Sequence, residues 1–205
     1  MPRPTNTSKR LPKKAPDEGY EAQGGPPDGE GGAVWCEDEH RLGLKPILRK
    51  AWSPIGERPV VEVHPRYQWT YLYAFVHPDT GEVHWLILGK VDAEVFSLAL
   101  ECFAREVGAG KSERILLVLD QAGWHTAKKE PRVPEGIRLE FLPSHSPEPQ
   151  PSERLWPSSD EAVANRYFEE IEELEEALVE RCVALRDQPE VIRSYTHYHW
   201  WPEAA

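Results

Sequence analysis

The chain predicts an α/β fold, a mixed sheet with helices on its faces, and three stretches carry that prediction. Ile115 to Leu119 is an unbroken apolar run that ends on Asp120, the pattern of a strand buried on both faces. Trp69 to Val76 and Glu82 to Leu88 flank Pro78-Asp79-Thr80-Gly81, which reads as two strands around a tight turn. Between these stretches, Asp92 to Val107 switches from period two to the helical period.

Taken in order, Met1 to Gly32 begins basic (Arg3, Lys9, Arg10, Lys13, Lys14) and turns to Pro, Gly and acids. Its only large apolar or aromatic side chains are Met1, Leu11 and Tyr20, too few to offset ordering entropy, so residues 1–32 read as a disordered arm. Ala33 to Glu39 is a short apolar strand ending in Glu37, Asp38 and Glu39. The basic residues Arg41, Lys45, Arg49, Lys50 and Arg58 follow it. The meander from Trp69 to Leu88 comes next. Asp92 is placed to cap a helix whose apolar face includes Val95, Phe96, Ala99, Leu100 and Phe103, and Gly108 to Gly110 end it. The Asp120 strand and a further strand, Ile137 to Leu142, precede a proline-rich loop and Arg154-Leu155-Trp156. From Asp160 the chain reads as one or two acidic helices, with Phe168, Ile171, Leu174, Leu178, Val179 and Cys182 at helical spacing. The glutamates between them form a solvated face. In the tail after residue 187, His197 and His199 with their neighbouring tryptophans read as packing or fraying before metal ligation. Strand meander, helix, strand, a short helical or irregular piece to Lys129, strand, loop and C-terminal helices suit a ribonuclease-H-like arrangement.

The 205 residues suit one domain. A net charge of -11 excludes a general polyanion binder and leaves room only for local basic strips. Three dispersed cysteines, Cys36, Cys102 and Cys182, form no CxxC pair, which predicts reduced thiols and no cysteine zinc site. No apolar stretch has the length of a signal peptide core or a membrane span, and the expected location is cytoplasmic.

Asp38 ends the first strand, Asp120 ends a later one, and Glu153 stands at a helix entrance. If the two strands are neighbours, these acids converge and repel unless divalent cations neutralise them. Carboxylate oxygens suit magnesium or manganese, and two ions roughly 3.5–4 Å apart serve phosphodiester displacement. With 35 acidic residues in the chain, spacing alone selects no triplet.

The motifs do. CEDEHRLGL, RKAWSPIGERP, HPDTGEVHWLIL, LVLDQAGWHTA and LEFLPSHSPEPQPSERLW occur in that order from Trp35 to about Leu185. Through them the chain resembles the DDE-type transposases of bacterial insertion sequences related to the mariner elements. The resemblance places the family's ligands on Asp38, on Asp120 of LD-x-A-x-x-H and on Glu153 of SPE-x-x-P-x-E-x-x-W. It implies a catalytic domain over 33–187 with two Mg2+ or Mn2+ ions, cutting and joining DNA at terminal inverted repeats and at target sites, commonly TA. It also implies a homodimer or larger assembly. His125 is an auxiliary residue, positioning water or phosphate near Asp120 or capping a turn. Arg41, Lys45, Arg49, Lys50 and Arg58 are either phosphate contacts or a solvated hairpin. Glu39 alternates away from Asp38 and is structural, and Trp156 anchors the last helices in the core.

Several residues depart from the family pattern. Gln121 stands where the family has Asn, and Gln150-Pro151-Ser152-Glu153 replaces Asn-Pro-Ile-Glu. Pro157 threatens the helix bond to the Glu153 carbonyl, which predicts Glu153 on one broken turn and a new helix capped at Ser159. On that expectation, Pro157→Lys with Gln150→Asn should stabilise the fold. The family's helix-turn-helix domains have no counterpart before residue 33, so a separately encoded helix-turn-helix partner is expected. The alternative function is a truncated or degenerate remnant without activity, at most a DNA-binding or assembly module.

Overall fold

β1 (Ala33–Gly43) is the central strand of a five-stranded sheet ordered β3-β2-β1-β4-β5. β2 (Trp69–His77) and β3 (Glu82–Leu88) form the meander on one side, antiparallel throughout. β4 (Ile115–Leu119) and β5 (Ile137–Phe141) lie on the other side, parallel to β1 and to each other. The computed structural model describes residues 32–60, 62, 66–126, 131–143 and 150–198. The arm before Gly32, the loop 144–149 and His199 lie outside the described residues.

β1 runs four residues beyond the expected Glu39. The ladder with β2 continues from Cys36↔Val76 to Gly43↔Trp69 and carries His40 and Arg41 with it. Alternation persists there: Leu42 is buried, while exposed Arg41 lies over the Trp69 ring at 4.5 Å. The basic stretch is therefore the end of a strand and, over residues 44–60, an irregular segment, not a hairpin.

Alternation on β1 also divides the molecule. Trp35 faces one side with Tyr73, Phe75, Leu117 and Leu119, and α1 (Ala93–Glu106) covers that side through Phe96, Leu100 and Phe103. Asp92 caps α1 as expected, its carboxylate accepting the N–H groups of Glu94 and Val95. Cys36 faces the other side with Ala74, Val76 and Val118. Leu155, α3 (Ile171–Arg186) and α4 (Pro189–Thr196) close it, with Leu185 and Ile192 in that cluster. α3 buries Leu174, Leu178 and Cys182, whereas Val179 is half exposed. Gly81 sits at φ +77 in the β2–β3 turn, where a Cβ would strike the Pro189 carbonyl, so α4 can dock only against a glycine there.

The entrance to the C-terminal helices is a 3₁₀ turn, Pro151–Leu155, that runs into α2 (Trp156–Asp160). Glu153 lies on that single turn, as expected. The cause differs from the expected one. The Glu153 carbonyl accepts the Trp156 N–H in the tighter 3₁₀ pattern, and Pro157 falls in the first turn of α2, where its missing N–H has no helical acceptor to serve. Ser159 does not cap a new helix; its hydroxyl donates to the Trp156 carbonyl.

Candidate metal centre

The register of the two central parallel strands positions the first two acids. Backbone pairing between β1 and β4 ends at Cys36↔Val118. Asp38, still within β1, and Asp120, just past β4, each lie two residues further on. Asp120 stands just past the end of β4 with its carboxylate turned to His125, and among the described residues only Glu37, Glu39 and His125 bring three ligand-type atoms within 4.8 Å of one another. Glu153 comes to the same end on the 3₁₀ turn. That turn is seated by fully buried Leu155 and by Gln150, whose side-chain amide donates to the Glu37 carbonyl at 2.7 Å. Gln150 makes no cap; its extra methylene reaches β1 instead. Gln121, the other departure, donates to the Leu142 carbonyl at 2.8 Å and ties the end of β4 to the end of β5.

Glu153 is felt by Asp38 and itself feels Asp120. Burial pushes the Asp38 carboxyl up to about 7, against the Trp156 indole N–H that donates to its Oδ2 at 3.0 Å, and the Glu39 and Glu153 charges add to the rise. Burial also raises Glu153, and the Asp120 charge adds to it. Asp120 moves the other way, because a hydrogen bond from His125 holds it below its ordinary value despite partial burial. Carboxylate oxygens are the donors that a hard divalent cation takes.

On the opposite face of β1 lies a second group that sequence reasoning only half saw. The His125 ring is fully buried, Nδ1 at 3.0 Å from Asp120 Oδ1 and Nε2 at 3.2 Å from Glu39 Oε1. Burial works against a charged ring, but the bonds to Asp120 and Glu39 and the nearby Glu37 charge raise it to about 10, so it is an imidazolium at neutral pH. Glu39 is structural, as expected, and also accepts the Trp124 indole N–H at 2.8 Å. Glu37 was missed. It is wholly buried, and neither carboxyl oxygen has a hydrogen-bond partner. Burial, and then the Glu39 charge, push its carboxyl well above the ordinary range. His125 Nε2 approaches Glu37 Oε2 at 3.6 Å. The available signal was parity, since Glu37 shares the core-facing parity of Trp35.

Trp156 does more than anchor a core. Besides its bond to Asp38, its ring stacks on His40 at 5.0 Å, and His40 in turn meets Asp160 at 2.8 Å. Among the basic candidates, Lys45, Lys50 and Arg58 are exposed. Arg49 is engaged: its guanidinium donates to the Pro157 carbonyl and to Asp160, and its backbone exchanges two bonds with the Asn165 side chain. His197 meets Asp79 at 3.3 Å.

A mixed five-strand sheet with helices on both faces is the ribonuclease-H-like fold. A model of the DDE superfamily endonucleases matches residues 33–175, and the chain belongs to that superfamily. It is 36% identical over 137 residues, 64% of this chain and 96% of the relative, to the uncharacterized protein y4pE/y4sA of Sinorhizobium fredii (strain NBRC 101917 / NGR234). In fold it is similar to the Mos1 mariner paired end complex with Mn (TM-score 0.56, 20% identity, 80% of this chain and 54% of that one). The same complex with Mg gives a TM-score of 0.57 at 19% identity, with 80% and 51% coverage. The chain thus spans about half the length of those transposase chains.

Proposed function

We propose that this chain is the metal-dependent catalytic domain of a DNA transposase, with Asp38, Asp120 and Glu153 holding two Mg2+ or Mn2+ ions. The observation that supports the reading is the parallel pairing of β1 and β4, which runs to two residues short of Asp38 and Asp120, in a chain that matches the DDE superfamily endonucleases over residues 33–175. Bound there, such ions supply charge neutralisation and oxygen activation for phosphodiester displacement. The chain's own residues prepare the place. Trp156 orients Asp38 through Oδ2, and the turn carrying Glu153 is held by Gln150 and Leu155. Asp38 must shed the proton that its burial favours, so cation binding releases a proton near neutral pH. The resemblance extends the reading to terminal inverted repeats and TA targets, to a homodimer, and to a separately encoded helix-turn-helix subunit. Gln121, Gln150 and Pro157 would argue for a decayed remnant, but each has a defined structural place, which supports the active reading.

Calorimetric titration with Mn2+ tests it. The wild type should bind and release protons at pH 7, and Asp120→Asn should bind far more weakly. Equal binding by Asp120→Asn would remove the site.

A further inference from the structure

Backbone pairing between β1 and β4 stops two residues before Asp38 and Asp120. Past Cys36↔Val118 no ladder bond fixes the spacing of the strand ends. A side-chain chain takes over at that level, on the face away from Asp38. Glu39, next to Asp38 on β1, contacts His125 Nε2 at 3.2 Å, and His125 Nδ1 contacts Asp120 Oδ1 at 3.0 Å. We propose that Glu39 and His125 are positioning residues for the cation site, a brace that fixes the Asp120 carboxylate across the open end of the β1–β4 pair. The inference rests on the assignment of Asp120 as a ligand.

The construction around the brace supports it. β1 sends one acid to each face at this level, Asp38 to the ligand side and Glu39 to the brace. Glu39 is held by Trp124, which donates to the same Oε1 that His125 meets. The His125 ring packs on Phe96 of α1 at 4.4 Å, so helix packing sets its plane. Asp120 Oδ1 also accepts the Ala122 N–H at 2.9 Å, so both bonds fall on one oxygen and fix the carboxylate rotation. A carboxylate that orients a histidine, which in turn orients a ligand, is the arrangement by which outer groups tune metal sites. Glu37, Glu39 and His125 have ligand-type atoms within 4.8 Å of one another and could be read as an ion site. Nε2 already lies at hydrogen-bond distance from Glu39, and the ring in which it sits serves Asp120, so the group is a brace. His125, with both nitrogens engaged inside the core, acts through Asp120 and not on water or phosphate.

The test compares Mn2+ binding in the whole chain by calorimetry and the electron paramagnetic resonance spectrum of the bound ion. The variants are Glu39→Gln, Glu39→Ala, His125→Asn and Asp120→Asn, with Leu178→Ala in α3 as a control for general destabilisation. Glu39→Ala and His125→Asn should weaken Mn2+ about 10–100-fold and change the spectrum at saturation. Leu178→Ala should lower the melting temperature while keeping affinity and spectrum. Glu39→Gln keeps the volume and an acceptor for Trp124, so it folds if the others do not, and it should show a smaller loss of the same kind. Brace variants that match the wild type, with Asp120→Asn still failing to bind, would overturn the brace alone. So would losses no larger than those of Leu178→Ala. A wild type that takes up no Mn2+ would remove the site and the brace together.

Discussion

Asp38 carries opposing demands: its place in the sheet favours a proton, and a cation needs the bare carboxylate. With a folded pKa near 7 against an ordinary 3.8, the folded protein holds a proton that the unfolded chain releases. Stability of the metal-free protein should therefore fall as pH rises from 3.8 to about 7, and stay level above that. Asp38→Asn keeps an acceptor for Trp156 and removes the charge. At pH 8 it should be more stable than the metal-free wild type by roughly 1–4 kcal/mol, the gain shrinking towards pH 4. Thermal melts in chelator at both pH values measure this, and a mutant no more stable at pH 8 would show that the Asp38 charge is already well solvated. At this scale the sequence was legible where a residue type ends an apolar run, as Asp38 and Asp120 do. It was silent on Glu37, because an acid inside a strand reads as outward until the parity of Trp35 assigns its face. Only side-chain geometry shows that His125 bridges to Glu39, 86 positions away.

The strands and α1 were legible because their signals are local: β-branched and aromatic runs, a proline-glycine turn and an aspartate cap. The segment around Glu153 was misjudged, because its stability comes from a distant acceptor. Gln150 is a poor cap by propensity, yet its amide is buried on the Glu37 carbonyl, and a proline read as a helix breaker lies where helices tolerate one. The expected gain from the paired substitution is therefore reversed. Gln150→Asn shortens the side chain by a methylene and strands a buried carbonyl, costing roughly 1–2 kcal/mol. Pro157→Lys alone should change stability by less than about 0.5 kcal/mol, because no interior helix bond is restored. Urea midpoints of the two single variants decide it, and a marked gain from Pro157→Lys would return that residue to the helix interior.

At the scale of the whole molecule, charge is arranged against the function proposed for it. The chain carries -11 overall, and α3 presents Glu172, Glu173, Glu175, Glu176 and Glu180, so phosphate attraction must come from a local surface. The irregular segment after β1 supplies one, with Lys45, Lys50 and Arg58 exposed. Arg41 and Arg49 belong to the same strip, but Arg41 lies over Trp69 and Arg49 ties the segment to α2 and Asn165. Replacing Arg49 would therefore mix lost charge with lost structure. Replacing Lys45, Lys50 and Arg58 with alanine separates them. Contacts to phosphate release counterions, so log affinity falls with log salt by about 0.9 per phosphate neutralised. The wild type should bind duplex weakly, with a measurable salt slope and a ratio near one between terminal-repeat and random DNA. The triple variant should reduce that slope by about 2–3 while keeping the wild-type melting temperature. Arg49→Ala should lower the melting temperature as well as the slope. A slope that ignores the triple variant would place the DNA on another face, and strong selection of one sequence by this chain alone would show that it reads bases without a helix-turn-helix partner.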